Sequence, residues 1–320
     1  MVSFLYLCSP MKTIYFPDES YFDGSCMATI GFFDGVHRGH RFLLEHLRAT
    51  ACERGLLSMA VTFERHPRQV VQQGWQPELL TTLDEKIRLM ESAGIDILVV
   101  LRFDVGMAAL SAYDFMAMMR RQLGVRCLLT GYDNRFGHGR AEGFLDYQRY
   151  GMQLGMLVMC GDALRVGAES VSSSRIRRLL KEGNVAEASQ CLGRPYAIGG
   201  QVVHGEQIGR TIGFPTANVE PDACKLIPED GVYAVLVDME GKADCRGVMN
   251  IGSRPTFHGD RRTLEVNILD ETGDFYGQRV TVRFLARLRG EQSFPSGEAL
   301  ALQIREDKRQ AEKILNAYEL

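Results

Sequence analysis

The sequence predicts an α/β fold in two parts: a domain built on a parallel sheet, then a small antiparallel β-barrel closed by a helix. Three observations carry that expectation. Strand-like runs alternate with helix start signals through the first half, the apolar periodicity changes at about Tyr196, and the closing segment is helical by its apolar spacing and Glu/Lys/Arg content. With 320 residues the chain is long for one core, and two domains are the ordinary expectation.

Up to about residue 180, short β-branched or leucine-rich runs alternate with amphipathic stretches, the pattern of parallel βα units. Strands are expected at 28–33, 57–63, 95–103, 125–131 and 156–160. Thr82-Leu-Asp-Glu85 and Ser111-Ala-Tyr-Asp114 have capping-box spacing, in which two side chains three residues apart satisfy orphan backbone donors. A helix from about Ser173 is expected to end at Glu182-Gly183-Asn184, where Gly183 takes the left-handed cap. This half reads as Rossmann-like. Beyond it, the stretches 231–239, 245–251, 263–270 and 278–288 alternate apolar and polar residues between Gly, Pro and Asp turns, so they read as antiparallel strands. A helix is expected over 296–320, and the boundary between 183 and 195 gives domains of residues 1–183 and 184–320.

Lys and Arg number 37 against 40 acidic residues, spread evenly over both halves, which argues against a nucleic-acid or anionic-membrane binder. The eight cysteines are scattered with no C-x-x-C pair, as reduced thiols in a cytoplasm would be, rather than a disulfide frame or zinc site. The opening MVSFLYLCSP lacks a basic leader and is too short to span a membrane, so it reads as an irregular N-terminus with Met11 as an alternative start. The expectation is a cytoplasmic monomer or weak homo-oligomer.

The stretch TIGFFDGVHRGHRFLL, residues 29–44, concentrates the chemistry of the first half. An apolar strand runs into the Asp34-Gly35 turn, and His37 to His40 form the first turn of a helix, where free backbone N–H groups favour an anion. Imidazoles at i and i+3 share a face and add donors, while Gly39 lets a phosphate approach the backbone. The pair could instead be ordinary surface or core histidines. A metal reading finds no third ligand at suitable spacing. Strand, glycine turn and apolar helix together favour polyphosphate.

GFFDGVHRGH is similar to the G-x-F-D-G-x-H-x-G-H segment of the bacterial bifunctional riboflavin kinase/FMN adenylyltransferases (FAD synthetases). The likeness continues in order through VTFERHP (61–67), LLTTLDEKIRLM (79–90), GYDNRFGHGRAEG (131–143) and VSSSRIRRLL (171–180). The resemblance implies a nucleotidylyltransferase domain in which FMN phosphate attacks the α-phosphate of ATP and pyrophosphate leaves. Catalysis would fall to His37, His40, the helix terminus and Mg²⁺. It implies ATP contacts from Gly31, Phe33, Asp34, Gly35, His37, Gly39, His40, Asp133, Ser172, Ser173, Arg175 and Arg177, and flavin contacts from His66, Pro67 and Asn134. The residues alone leave alternatives. The serines could simply cap a helix, as is preferred for Ser174 and for Arg178 on the same helix; Asp133-Asn134 could form an Asx turn and His66-Pro67 a plain one. The chain departs from the family pattern at Asn134, where an aromatic is usual, and at Arg65, where proline is usual.

In the second half, IGRTIGFPTANV (208–219) is extended after Pro215, so Thr216 and Asn218 point the same way and offer hard oxygen ligands suited to Mg²⁺. Gly209 and Gly213 leave backbone free for phosphates. The other reading is a proline turn with a polar flank. In LEVNILD (264–270), Leu264, Val266 and Ile268 form one face and Glu265 and Asn267 the other. These stretches, with GVYAV, GVMNIGSRPTF and GDFYGQRVTVRFLARLRGEQSF, resemble the riboflavin kinase module. By that resemblance Glu265 is the general base for the riboflavin 5′-hydroxyl. Gly209, Arg210, Gly213, Pro215, Thr216 and Asn218 bind ATP, with Thr216 and Asn218 on Mg²⁺. The implied partners are riboflavin, FMN, FAD and ATP, the flavins being substrate and product. Two rivals stand against this: a nucleotidylyltransferase for another acceptor whose barrel only senses flavin, and a class I aminoacyl-tRNA synthetase relative, for which no lysine-rich loop is present.

Overall fold

The computed structural model describes residues 10–18, 22, 24–72, 74–131, 134–162, 164–166, 169–205, 214–256, 259–269, 271, 273 and 275–318. The chain divides into two compact units, Met1–Val171 and Ser172–Leu320.

In the first unit, β1 (Lys12–Phe16), β2 (Cys26–Ile30), β3 (Leu57–Phe63), β4 (Ile97–Leu101), β5 (Val125–Thr130) and β6 (Leu157–Cys160) form one parallel sheet ordered β1-β4-β3-β2-β5-β6. The connecting helices are α1 (Arg38–Glu53), α2 (Pro67–Val71), α3 (Leu83–Ser92), α4 (Val105–Ala109), α5 (Ala112–Gln122) and α6 (Phe144–Leu154). A two-residue ladder, β7 (Arg165–Val166) with β8 (Glu169–Ser170), follows.

Alternate strand residues feed opposite faces of the sheet. Ala28, Val61 and Val99 pack with Phe115 and Met119 of α5, while Met27, Ala60 and Leu98 pack with Leu44 and Leu47 of α1 and Met90 of α3. Strand order reverses at β2, between β3 and β5, and such a switch point is where open α/β sheets bind ligands.

The strand expected at 57–63 is β3 to the residue, β4, β5 and β6 lie within their expected spans, and the strand expected at 28–33 starts earlier and ends at Ile30, because Gly31 to Phe33 already turn into the loop before α1. The edge strand β1 is an addition: its five residues pair in parallel with β4 along their whole length. Thr82 forms the full capping box with Glu85. At Ser111 the hydroxyl accepts from the Asp114 N–H, but the shorter Asp114 carboxylate takes the Ser111 hydroxyl proton instead of reaching back to its amide.

The second unit opens with α7 (Ser173–Lys181) and α8 (Val185–Leu192). Six antiparallel strands follow: β9 (Tyr196–Val203), β10 (Ala217–Pro221), β11 (Gly231–Met239), β12 (Lys242–Thr256), β13 (Gly259–Ile268) and β14 (Arg279–Arg289). They close a barrel in the order β10-β13-β12-β11-β14-β9, leaving no open edge. Residues 185–192, within the stretch expected to join the domains, form α8, which packs on β9 and β14. Strand β9 is also an addition, its signal weakened by Gly199-Gly200, and β10 makes a ladder strand of the stretch expected only to be extended after Pro215, with Pro221 at its end.

The closing helix, α9 (Gly297–Ala317), starts where Ser296 caps it by accepting from the Ala299 N–H. Its Ala311 and Leu315 pack on Ala234, Leu236 and Leu269. Asp307 is buried and receives Arg289 Nε at 3.0 Å and Nη2 at 2.8 Å, with Gln303 as a third donor. Removing one member of such a pair strands the other charge. Asp307→Ala is therefore expected to lower the stability of this unit by about 3 kcal/mol, read as a shifted denaturant midpoint; an unchanged midpoint would show that the pair does not hold α9.

Candidate active sites

The loop from Gly31 to Val36 carries the chain from β2 to α1 through a conformation that L-residues avoid. Phe33 sits at φ 54° and Val36 at φ 37°, both left-handed, with Gly35 between them at φ 84°. Each such non-glycine residue costs on the order of 1–3 kcal/mol and persists only where its surroundings hold it. Here the holder is Asp34, 3% exposed, whose carboxylate accepts from the N–H groups of Leu80 and Thr81, both at 3.0 Å, and from the Thr81 hydroxyl at 3.2 Å. Gly35 N–H donates in turn to Thr81 Oγ1 at 3.0 Å.

The loop delivers His37 to the N-cap of α1, where its Nδ1 accepts from the His40 N–H at 3.3 Å. The two rings stack at 3.6 Å between centroids with 16° between planes, and Phe33 meets His40 edge-on at 5.2 Å. A Cβ on Gly39 would lie 3.2 Å from the His37 ring and from the Val171 carbonyl oxygen, so a side chain there would crowd the pair. Burial holds the His40 pKa well below the usual imidazole range, helped by the nearby His37 and Lys86. His40 is thus a neutral donor at neutral pH, and its shielded Nδ1 has no partner among the described residues.

Lys86, on α3, escapes the motif reading. It is 2% exposed; Nζ donates to Thr62 Oγ1 at 3.3 Å and lies 4.0 Å from the centroid of the Phe32 ring. Burial pulls its pKa down to about 8 against the opposing attraction of Asp34. The available signal is a lysine at 86 on the face that carries Leu83, Ile87 and Met90, all packed into the core.

At the carboxyl ends of β2 to β5 lies a cavity of about 140 Å³, walled by Phe32, Phe63, Phe103, Phe115 and Phe136. His66, Pro67 and Asn134 line the same cavity, as does Gly31. His66 caps α2 by accepting from the Arg68 N–H at 3.1 Å and meets Phe32 edge-on at 4.6 Å. Asn134 donates from Nδ2 to the Ile30 carbonyl at 2.5 Å, tying the end of β5 to the end of β2 across the switch point. Asp133 lies outside the described residues. Ser172 caps α7 by accepting from the Arg175 N–H at 3.3 Å; Ser173, Arg175 and Arg177 follow on that helix, in the second unit.

In the barrel, β10 and β13 pair so that Asn218 stands opposite Glu265. Thr216 Oγ1 donates to Glu265 Oε2 at 3.3 Å, so these three oxygen-bearing side chains converge. Pro215 is held by its carbonyl, which accepts from Asn267 Nδ2 at 2.5 Å, and Asn267 Oδ1 is shielded without a partner among the described residues. Gly205 packs close against the Asn218 side chain, whose amide would have to shift if a Cβ stood there. Gly209, Arg210 and Gly213 lie outside the described residues.

Two family models match the chain: FAD synthetase over residues 20–175 and riboflavin kinase over residues 192–315. The bifunctional riboflavin kinase/FMN adenylyltransferase of Escherichia coli K12 is 43% identical over 284 residues, covering 88% of this chain and 90% of that protein. Its counterpart from Bacillus subtilis is 34% identical over 312 residues, covering 94% and 97%. A crystal structure described as a macrolide-efflux protein from Streptococcus pneumoniae superposes with a TM-score of 0.87 at 30% identity, covering 94% of this chain and 99% of that one. Efflux is said of that protein; among the described residues here, no helix is long and apolar enough to cross a membrane.

The depressed His40 pKa has a signed consequence. The unfolded chain takes up the proton first, near the ordinary imidazole value of about 6.5. The contribution of the neutral ring to stability is therefore complete above that pH and is lost as pH falls through the folded-state value. Imidazole ¹⁵N NMR of the ligand-free chain is expected to find His40 still neutral at about pH 6.5; a ring titrating at or above that value would contradict its shielding.

Proposed function

The chain belongs to the family of bifunctional riboflavin kinase/FMN adenylyltransferases, and from that premise we propose how its residues divide the two reactions. The enzyme phosphorylates riboflavin with ATP to give FMN, then transfers the adenylyl group of a second ATP to FMN, giving FAD and pyrophosphate. The observation that supports the division is that the two constellations share no residue: His37, His40 and the aromatic cavity lie in one unit, and Thr216, Asn218 and Glu265 in the other.

For adenylyl transfer, the phenylalanine-walled cavity takes the flat isoalloxazine ring, with His66, Pro67 and Asn134 at its rim. His37 and His40 donate N–H groups to the α-phosphate as the FMN phosphate oxygen attacks and pyrophosphate leaves. Being neutral, His40 acts by position and hydrogen bonding rather than as a standing charge. Gly31, Phe33, Gly35 and Gly39 shape the nucleotide loop, and Asp34 contributes through the bonds that hold it. By the family resemblance Asp133, Ser172, Ser173, Arg175 and Arg177 are further ATP-binding residues. The functional domains on this reading are residues 1–183 and 184–320.

For the kinase, Glu265 accepts the proton of the riboflavin 5′-hydroxyl as that oxygen attacks the γ-phosphate. Thr216, Asn218 and Glu265 are a hard-oxygen set that fits Mg²⁺, an ion that keeps several waters and shares its sphere with phosphates. Thr216 and Asn218 would hold it, and bound there it would neutralise charge on the ATP phosphates. By the family resemblance Gly209, Arg210, Gly213 and Pro215 also bind ATP. The even charge balance and the scattered cysteines with no C-x-x-C pair support a cytoplasmic enzyme that works without nucleic acid; a monomer or weak homo-oligomer is part of the same proposal.

A time course resolving riboflavin, FMN and FAD by fluorescence-detected chromatography tests the division. Glu265→Gln is expected to slow FMN formation by about 10²-fold or more while supplied FMN still becomes FAD. His40→Ala is expected to do the converse, by about 10²-fold. Loss of both activities in either folded variant would refute the assignment.

A further inference from the structure

Lys86 is a cation where the fold has no need of one. It is almost fully buried, and among the described residues its single hydrogen bond goes to the neutral Thr62 hydroxyl and no carboxylate lies within salt-bridge distance of it. A buried ammonium normally has a counter-ion, and an apolar side chain of similar shape would serve packing better. Its surroundings point instead at the reaction. The ammonium underlies Phe32, whose ring walls the cavity, and Thr62, its hydrogen-bond partner, donates to the Phe32 carbonyl at 3.1 Å. It also acts electrostatically on His40. Lys86 thus stands behind the place where a flavin phosphate and a nucleotide phosphate, both anionic, must be brought together.

We propose that Lys86 is a positioning residue for adenylyl transfer: its ammonium fixes the Phe32 wall from behind and makes the histidine site electropositive toward the phosphates of FMN and ATP. The inference rests on the assignment of adenylyl transfer to the first unit. It adds a residue that acts through Phe32 and through the field at His40 without touching substrate. A preorganised charge in a dry shell is stronger than the same charge in water and needs no reorientation as the reaction proceeds.

The test uses the full chain, in which riboflavin phosphorylation by the barrel is an internal control. Lys86→Met keeps the packing stem and removes the charge; it is expected to lower kcat/KM for FMN adenylylation by about 30-fold and leave FMN formation unchanged. The groups facing Lys86 are Asp34, from the loop after β2, and His40, on α1, and His40 has finished titrating well below neutrality. Because kcat/KM reports the free enzyme, the wild-type profile is expected to fall above pH of about 8, as Lys86 loses its proton, and the Lys86→Arg profile to stay level there. Wild-type kcat/KM in the folded Met variant overturns the proposal. Should the Met variant fail to fold, an Arg variant whose alkaline limb matches wild type overturns it. A wild-type chain that never converts FMN to FAD would instead refute the underlying assignment, so the two failures are distinguishable.

Discussion

The bonds that join Asp34 and Gly35 to Leu80 and to the backbone and hydroxyl of Thr81 are the constraint on which the first site depends. Together with the bond from Val36 N–H to the Phe33 carbonyl they keep Phe33 and Val36 in left-handed backbone, and a relaxed loop would no longer aim His37 at the N-cap of α1. The clamp also joins two βα connections: the loop after β2 carries the histidines, and the segment before α3 carries Thr81 and leads to Lys86. Strain at the loop is offset by buried hydrogen bonds elsewhere, which suits chemistry that relies on placing two phosphates rather than on forming a covalent intermediate.

Barrel closure plays the corresponding part in the second unit. The antiparallel register of β10 and β13 sets Asn218 opposite Glu265, and the period-2 alternation that buries Leu264, Val266 and Ile268 leaves Glu265 on the other face. A slip of one residue would bury the carboxylate and expose the core. Asn267 adds a fixed point by holding the Pro215 carbonyl just before Thr216. The closing helix is tied to β14 through Arg289 and Asp307, away from this polar cluster in sequence and in contacts.

What could be read in advance divides by the range of the interactions involved. The H-x-G-H turn, the Thr82 cap, the common direction of Thr216 and Asn218 and the common face of Glu265 and Asn267 rest on local chemistry or strand periodicity, and both fold classes follow from period changes along the chain; the bond between Thr216 and Glu265, 49 residues apart, appears only once β10 meets β13. Strands β1 and β9 and the ladder of β10 escape because a partner, not a pattern, makes them strands: β1 is an edge recruited by β4, and the glycine- and proline-marked β9 and β10 gain their ladders only when the barrel closes. Lys86 escapes because burial is a tertiary property; in sequence it is one lysine on an amphipathic helix. His66, Pro67 and Asn134 are pointed to as flavin contacts by the family resemblance alone, and their common cavity appears once β2, β3 and β5 lie side by side.

The most direct measurement is the rate of FMN adenylylation by Thr81→Val, with riboflavin phosphorylation as control. Thr81 has no proposed contact with either substrate, yet its hydroxyl bonds both Asp34 and Gly35. Valine keeps the shape and leaves the Gly35 N–H without that acceptor. If the clamp places the histidines, kcat/KM for FMN is expected to fall by tenfold to about 10²-fold while FMN formation is spared, since a small misplacement at a positioning site costs that much. A folded variant with wild-type adenylylation would show that the loop holds its shape without the two bonds of the Thr81 hydroxyl and would contradict their place in the clamp.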